Sequence, residues 1–301
     1  MSAEAMRSET SRINTPATSG DRLWADIVST ARFGAADKGG VTRLTLTEED
    51  REVRDWYVAE CRALGCTVEI DPIGNIFATY AGEDMSLPAI AVGSHLDTQP
   101  QGGRFDGILG VLAGVEILRT LKESATRLRH PLVVVNWTNE EGSRFSPAML
   151  GSGVFAGALA LDDAQARTDR EGVTVGSALD AIGYRGKAKI DPASFAAYVE
   201  LHIEQGPLLE ASATEVGVVT GIQGLRWFDV TITGTEAHAG STPMAQRDDA
   251  LVAAAEIVLA VRDIARQNPP GVGTVGFVEV GPNSRNVVPG SVRLQIDMRH
   301  L

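Results

Sequence analysis

From Thr47 onward the chain reads as an amphipathic helix. Thr47 is a capping residue with Glu48, Glu49 and Asp50 in the first turn, and Val53, Trp56, Tyr57, Cys61 and Leu64 then recur on one face until Gly65 ends the pattern. The period then shortens. Residues 66–70 and 75–80 read as two strands joined by the turn Asp71-Pro72-Ile73-Gly74, and 88–93 is a continuously apolar run of strand length. A second helix is predicted from about Ile108 to Lys122, followed by a strand over 132–138. Runs that are apolar on both faces and separated by helices predict an α/β domain, with a mixed, mostly parallel sheet flanked by helices.

The texture changes after about Glu215. Alternating strands are predicted at 225–233, 274–280 and 292–299, with a long apolar helix over 249–266 between the first two. That order, strand, helix, strand, strand, is part of a split β-α-β unit of the ferredoxin-like kind, which would continue with another helix and a fourth strand. The expectation is therefore a disordered leader at 1–20, an α/β domain at 21–215, and an inserted ferredoxin-like α+β domain at 216–301 that is cut short.

Composition narrows the function. With 301 residues, 44% of them hydrophobic, the chain can bury a full core. Its net charge of −12 argues against a nucleic-acid partner, because counterion-driven binding to a phosphate backbone needs a basic surface. No apolar stretch approaches the roughly 20 residues of a membrane span, and no signal peptide is visible. The two cysteines, Cys61 and Cys66, are a poor disulfide framework, so the expected compartment is a reducing cytoplasm.

Ligands in such sheets gather outside the carboxyl ends of the strands. His95 with Asp97, Glu140 with Glu141, and His202 each follow an apolar run, so three strand ends are expected to deliver metal-capable side chains to one edge. A metal-bound imidazole commonly donates its other ring N–H to a carboxylate, which is the role open to Asp97 in His95-x-Asp97; the same tripeptide also fits a surface turn. Asp106 stands among Gly102, Gly103 and Gly107, where the backbone can turn sharply and a carboxylate can bridge two cations, or where it can simply cap a helix. Glu140 and Glu141 offer one carboxylate for a metal and one for a general base, or a solvated acidic strand end. Strand alternation would place Glu200, His202 and Glu204 on one face, either a metal face or an exposed edge. His238, in a loop of small residues, can present an imidazole to a developing oxyanion, or lie exposed.

Six segments in order also resemble a known family. They are Gly-Ser-His-Leu-Asp-Thr (93–98), Gly-Gly-Arg-Phe-Asp-Gly (102–107), Asn-Glu-Glu-Gly-Ser-Arg-Phe (139–145), Leu-His-Ile-Glu-Gln-Gly-Pro (201–207), Gly-Thr-Glu-Ala-His-Ala-Gly-Ser-Thr-Pro-Met (234–244) and Asn-Val-Val-Pro-Gly (286–290). The chain resembles, from about Leu23 to its last residue, the amidohydrolase branch of the dinuclear-zinc aminoacylase and carboxypeptidase superfamily: N-carbamoyl-L-amino-acid hydrolases, β-ureidopropionases and allantoate amidohydrolases. The resemblance implies two divalent metal ions, zinc first, with manganese, cobalt or nickel also admitted by mixed carboxylate and imidazole donors. It implies that His95 and His202 bind one ion, Asp106 bridges both, Glu141 completes the carboxylate ligation of the second, and Glu140 is the base acting on the bridging water. Gln205, His238, Asn286 and Arg299 match substrate-holding positions, with His238 polarising the ureido carbonyl and Arg299 plus Asn286 gripping the substrate carboxylate.

A homodimer through a lid domain at 216–301 is implied as well, with a small ureido substrate that carries a carboxylate. The implied reaction is hydrolysis of an N-carbamoyl-L-amino acid to the amino acid, ammonia and carbon dioxide, with allantoate or N-carbamoyl-β-alanine as the alternative substrate. A metallopeptidase or aminoacylase is the next alternative. The family's last metal-binding histidine lies far downstream, and neither His130 nor His300 matches it. The chain is accordingly expected to be a fragment or a crippled, non-catalytic form of such an enzyme.

Overall fold

The computed structural model describes residues 16–301; most of the expected leader, 1–15, lies outside the described residues. The chain forms two compact units, one ending at Leu208 and the other Leu209–Leu301.

The first unit opens with α1 (Gly20–Thr30), whose first turn is capped by the Ser19 hydroxyl, and α2 (Glu48–Ala63), whose cap is Thr47 accepting from the Asp50 N–H. Its sheet contains β1 (Thr67–Ile70), β2 (Ile76–Tyr80), β3 (Ala89–His95), β4 (Leu132–Trp137) and β5 (Phe195–Val199), with α3 (Ile108–Glu123) crossing between β3 and β4. Short helices α4 (Leu150–Phe155), α5 (Leu161–Gln165) and α6 (Val175–Ile182) precede β5, and α7 (Leu208–Ala211) follows it.

Strand order is β1-β2-β4-β3-β5. Only β3/β4 and β3/β5 are parallel; β1/β2 and β2/β4 are antiparallel. The sheet is mixed, and the expected mostly parallel interior is corrected: a tight turn from β1 forces β2 to run back, so half of the ladders are antiparallel. Every residue of β4 is buried, because a central strand is covered on both faces. Val134 and Leu132 join the α1/α2/α3 layer around Tyr57, Val111 and Val115, while Val133, Val135 and Trp137 pack with Phe77 on the opposite face. Tyr57 carries its hydroxyl into this core, where it donates to the Val134 carbonyl at 2.8 Å.

Because β3, β4 and β5 are parallel, their carboxyl ends open on the same edge of the sheet. Strand β3 ends at His95 itself. Strand β5, however, stops at Val199, so His202 follows the strand in irregular chain. The alternation argument for Glu200, His202 and Glu204 on one strand face is thus corrected.

In the second unit, β6 (Gly224–Thr233), β10 (Ser291–His300) and β8 (Val272–Gly281) form an antiparallel sheet in that order. One face is covered by α8 (Ala250–Gln267), whose Ala250, Ala254 and Val261 meet Val292, Leu294 and Ile296. Beyond the Thr233/Ser291 end of the sheet, β7 (Ala237–His238) pairs with β9 (Val287–Val288). Among the described residues no helix is long and apolar enough to cross a membrane.

Candidate metal centre

The chain turns sharply after β3. His95 is 1% exposed, and its Nδ1 lies 2.8 Å from the carbonyl oxygen of Asp97. That contact makes Nδ1 the protonated, donating nitrogen and leaves the Nε2 lone pair for a cation. The expectation that the Asp97 carboxylate would take this proton is corrected: its Oδ1 stands 3.8 Å from Nδ1, beyond hydrogen-bond reach. The carboxylate instead receives two backbone donors, Glu140 N at 3.2 Å on Oδ1 and Glu141 N at 3.3 Å on Oδ2. Asp97 therefore ties the end of β3 to the loop that follows β4. Burial pushes its pKa up to about 6, with His95 pulling it back.

Asp106 precedes Gly107, the cap of α3, so Asp106 is not itself the cap. Gly107 has φ +64°, and a Cβ there would fall 2.3 Å from the His95 ring. Only glycine lets the chain pass this close to the imidazole. Asp106 Oδ2 accepts from Gln205 Nε2 at 2.5 Å. Its Oδ1 is buried and makes no hydrogen bond, although His202 Nε2 approaches to 3.2 Å. His202 Nδ1 lies 2.8 Å from the Ile203 carbonyl, so both histidines commit Nδ1 to backbone and leave Nε2 available.

One ligand atom from each of His95, Asp106 and His202 lies within 4.8 Å of the others. Two ligand atoms on one ion can be at most about 4.2 Å apart, given metal–nitrogen bonds of about 2.1 Å, and His202 Nε2 and Asp106 Oδ1, 3.2 Å apart, already meet that limit. The buried Asp106 oxygen and the two Nε2 atoms, with His202 deprotonated, fit a divalent metal in charge and donor type. Charges reflect the crowding. The interaction with Asp106 raises His202 to about 9. Burial lowers His95, but Asp97 and Glu140 outweigh it and the net shift is upward. Burial acts to raise Asp106 as well, yet His202 and Gln205 hold it below the usual carboxylate value.

Glu140 and Glu141 leave β4 through Thr138 and Asn139. Asn139 takes a left-handed φ of 55°, and its side-chain amide donates to the carbonyls of Phe145 at 2.7 Å and Pro147 at 3.2 Å. Glu140 Oε2 reaches 3.4 Å from His95 Nε2. Glu141 is outside the three-residue cluster, and its Oε2 accepts from Gln99 Nε2 at 3.0 Å. Both glutamates titrate above their ordinary values, chiefly through burial.

The sequence reading did not single out Gln99, for which no motif or period gives a signal. Nor did it see that Glu200 is shared by the Ser94 hydroxyl at 2.5 Å and the Tyr198 hydroxyl at 2.8 Å, a link that joins β3 to β5.

The remaining expected residues are in the second unit. His238 and Asn286 are neighbours: β7 pairs with β9 there, and Ala239 N donates to the Asn286 carbonyl at 2.9 Å. Arg299 is elsewhere, near the far end of β10, where it pairs with Asp297 at 2.8 Å. From Ser291 to Arg299 the strand spans about 27 Å, so within one chain Arg299 and Asn286 do not converge.

Residues 91–290 match the model of peptidase family M20/M25/M40. An N-carbamoyl-L-amino-acid amidohydrolase of Rhizobium meliloti is 48% identical over 280 residues, 93% of this chain and 67% of the relative. Allantoate amidohydrolase of Bacillus subtilis (strain 168) is 38% identical over 274 residues, 90% of this chain and 66% of the relative. A crystal structure of an amidase of the hydantoinase/carbamoylase family from Burkholderia vietnamiensis superposes with a TM-score of 0.91 at 50% identity, covering 94% of this chain and 69% of that one. The chain thus spans about two thirds of the length of the proteins it matches. With the family model matched along 91–290 and such relatives along nearly the whole chain, this protein belongs to peptidase family M20/M25/M40.

Proposed function

We propose that this chain carries the metal-and-base centre of an amidohydrolase that cleaves N-carbamoyl-L-amino acids. The observation that carries the reading is the convergence of His95, Asp106 and His202 beside Glu140, in a chain whose relatives bear that activity in their names. His95 Nε2, His202 Nε2 and Asp106 would hold a divalent cation, zinc first, with Asp106 and Glu141 offering carboxylates to a second. Bound there, the metal supplies Lewis acidity and lowers the pKa of its water.

The residues of the chain do the rest. Glu140, raised by burial, takes a proton from the attacking water and hands it to the leaving nitrogen. The substrate's carbamoyl C–N bond breaks, the amino acid leaves with the proton, and the carbamate falls apart to ammonia and carbon dioxide. Gln205, expected from the resemblance to hold substrate, donates instead to Asp106 Oδ2 and would orient that carboxylate. His238 donates a hydrogen bond to the carbonyl oxygen as charge develops on it. Arg299 clamps the substrate carboxylate through two parallel N–H groups, with Asn286 as an added donor.

Given those roles, a homodimer through the lid domain at 216–301 would let Arg299 and the His238–Asn286 pair reach one small substrate from different copies, since about 27 Å of β10 separates them within one chain. Cys61 and Cys66 are buried free thiols, which agrees with a cytoplasmic setting. The test is ammonia release by the zinc-loaded protein from N-carbamoyl-L-amino acids, N-carbamoyl-β-alanine and allantoate, with dipeptides and N-acetyl amino acids alongside. Ammonia from the first class is expected. Cleavage confined to dipeptides or N-acetyl amino acids would replace this reading with a peptidase or aminoacylase.

A further inference from the structure

The segment Gly39-Gly40-Val41-Thr42-Arg43-Leu44 has no part in the reaction as described, yet it is built against the centre. Val41 N donates to Gly102 O at 2.9 Å, and Gln101 N donates to Thr42 Oγ1 at 2.8 Å, so 41–43 runs alongside 96–102. At the inner end of this contact is Arg43, 2% exposed. Its Nε donates to the Leu96 carbonyl at 2.7 Å, and its Nη1 donates to the Phe33 carbonyl at 2.8 Å. Its main chain makes a reciprocal pair with Thr98: Arg43 N donates to Thr98 Oγ1 and Thr98 N donates to Arg43 O, both at 2.9 Å. Leu96 and Thr98 flank Asp97, so one residue grips the chain on both sides of it.

Among the described residues no carboxylate forms an ion pair with Arg43. A buried cation without a paired carboxylate is costly to desolvate, and the backbone carbonyls it satisfies offset that cost. What the guanidinium adds is a planar fork that reaches the Leu96 carbonyl on one side and the Phe33 and Thr30 carbonyls on the other. Burial lowers its pKa to about 10, so it stays charged at neutral pH, with Asp50 and Asp97 as the compensating negative charges.

We propose that Arg43 is a positioning residue for the metal centre: by clamping Leu96 and Thr98 it holds Asp97 where its carbonyl fixes the His95 tautomer and its carboxylate carries the backbone of Glu140 and Glu141. The reaction assigned to the centre rests on the proposed function; the effect on metal binding does not. Partners that orient a metal-binding histidine typically contribute about 10–100-fold to metal affinity.

The experiment compares wild type, Arg43→Met, Arg43→Lys and Thr98→Val with Leu118→Ala, a fully buried α3 residue remote from the clamp. Three readouts are taken: the thermal midpoint of the metal-free protein, Co2+ affinity with the visible absorption of the bound ion, and kcat and KM for ammonia release. Arg43→Met is expected to bind Co2+ at least about tenfold more weakly, with an altered visible spectrum. Its kcat falls and its KM changes less than about twofold, the pattern of a loss felt in the transition state alone. Arg43→Lys, which keeps the charge and loses the fork, falls between wild type and Arg43→Met. Leu118→Ala lowers the thermal midpoint and leaves Co2+ affinity and spectrum unchanged.

Wild-type Co2+ affinity and spectrum in Arg43→Met would overturn the proposal while leaving the amidohydrolase reading intact. Should Arg43→Met fail to fold, unchanged Co2+ binding in both Arg43→Lys and Thr98→Val would overturn it equally. A wild-type protein that binds Co2+ but releases no ammonia would sink the proposed function, and weakened Co2+ binding in Arg43→Met would still support the clamp.

Discussion

Replacing Gly107 with alanine should damage the metal centre more than its size implies. The added Cβ would fall 2.3, 2.4 and 2.5 Å from Cε1, Nε2 and Cδ2 of His95, distances no carbon can hold. The ring cannot step aside freely, because Nδ1 is bound to the Asp97 carbonyl at 2.8 Å and the side chain is enclosed. Gly107 also has φ +64° and ψ −54°, a conformation that costs other residues about 1–3 kcal/mol. Overpacking at a close-packed site adds about 1–3 kcal/mol. A backbone shift relieves part of both, so the net destabilisation is placed at about 2–4 kcal/mol.

That relief moves His95 or Asp106 out of register, which should weaken zinc binding at least about tenfold, or about 1.4 kcal/mol. Urea unfolding of the metal-free protein gives the first quantity, and zinc titration against a chelator gives the second. Stability within about 0.5 kcal/mol of wild type, together with unchanged zinc affinity, would refute the placement of the ring against Gly107.

Other expectations follow from the same geometry. His202, raised to about 9 by Asp106, must lose its proton before Nε2 can bind a cation, so metal affinity should rise about tenfold per pH unit up to about 9 and then level off; a flat profile in a chelator competition across that range would contradict it. The same upward shift from 6.5 favours the folded metal-free protein below pH 6.5, and that gain is lost as pH rises through about 9, which urea midpoints taken with chelator present would register. Glu140→Gln should lower kcat by at least about 100-fold while metal content holds, and loss of metal instead would make Glu140 a ligand rather than the base. Arg54→Met strips the partner from Asp50, a 2.8 Å ion pair with both side chains fully buried, and should cost about 3–5 kcal/mol in urea unfolding; a cost below about 1 kcal/mol would show that the pair is not isolated from water.

The elements most readable in the sequence are those with a continuous apolar signature. Helices α2 and α3 and strands β3 and β4 begin and end within two residues of where their periods predict, because burial on one stripe or on both faces is written directly into residue type. Strand direction is not written there. An apolar run such as 75–80 looks the same whether its neighbours run parallel or antiparallel, and β2 runs antiparallel to both. Helix α1 escaped notice because Trp24 and Val28 are exposed among its apolar positions, which blurs the stripe formed by Leu23 and Ile27.

At the site, residue types and spacing offer His95, Asp106 and His202 as candidates beside a surface turn, a helix cap and an exposed edge, and it is the resemblance of the six ordered segments that implies their metal-binding roles. Residue types and spacing could not say which oxygen of Asp97 meets His95, because side-chain and main-chain oxygens of one residue are indistinguishable in a sequence. Nor could they reveal that Glu141 turns to Gln99, or that Arg43 is buried, since an arginine in a glycine-rich segment reads as surface.

The central claim is that His95 and His202 together hold a catalytic cation. X-ray absorption at the zinc edge of the zinc-loaded protein tests it most directly. The account predicts a nitrogen and oxygen shell at about 2.0–2.1 Å with the scattering signature of two imidazoles, falling to one in His202→Ala. A shell without imidazole, or an unchanged two-imidazole signature in that variant, would contradict it.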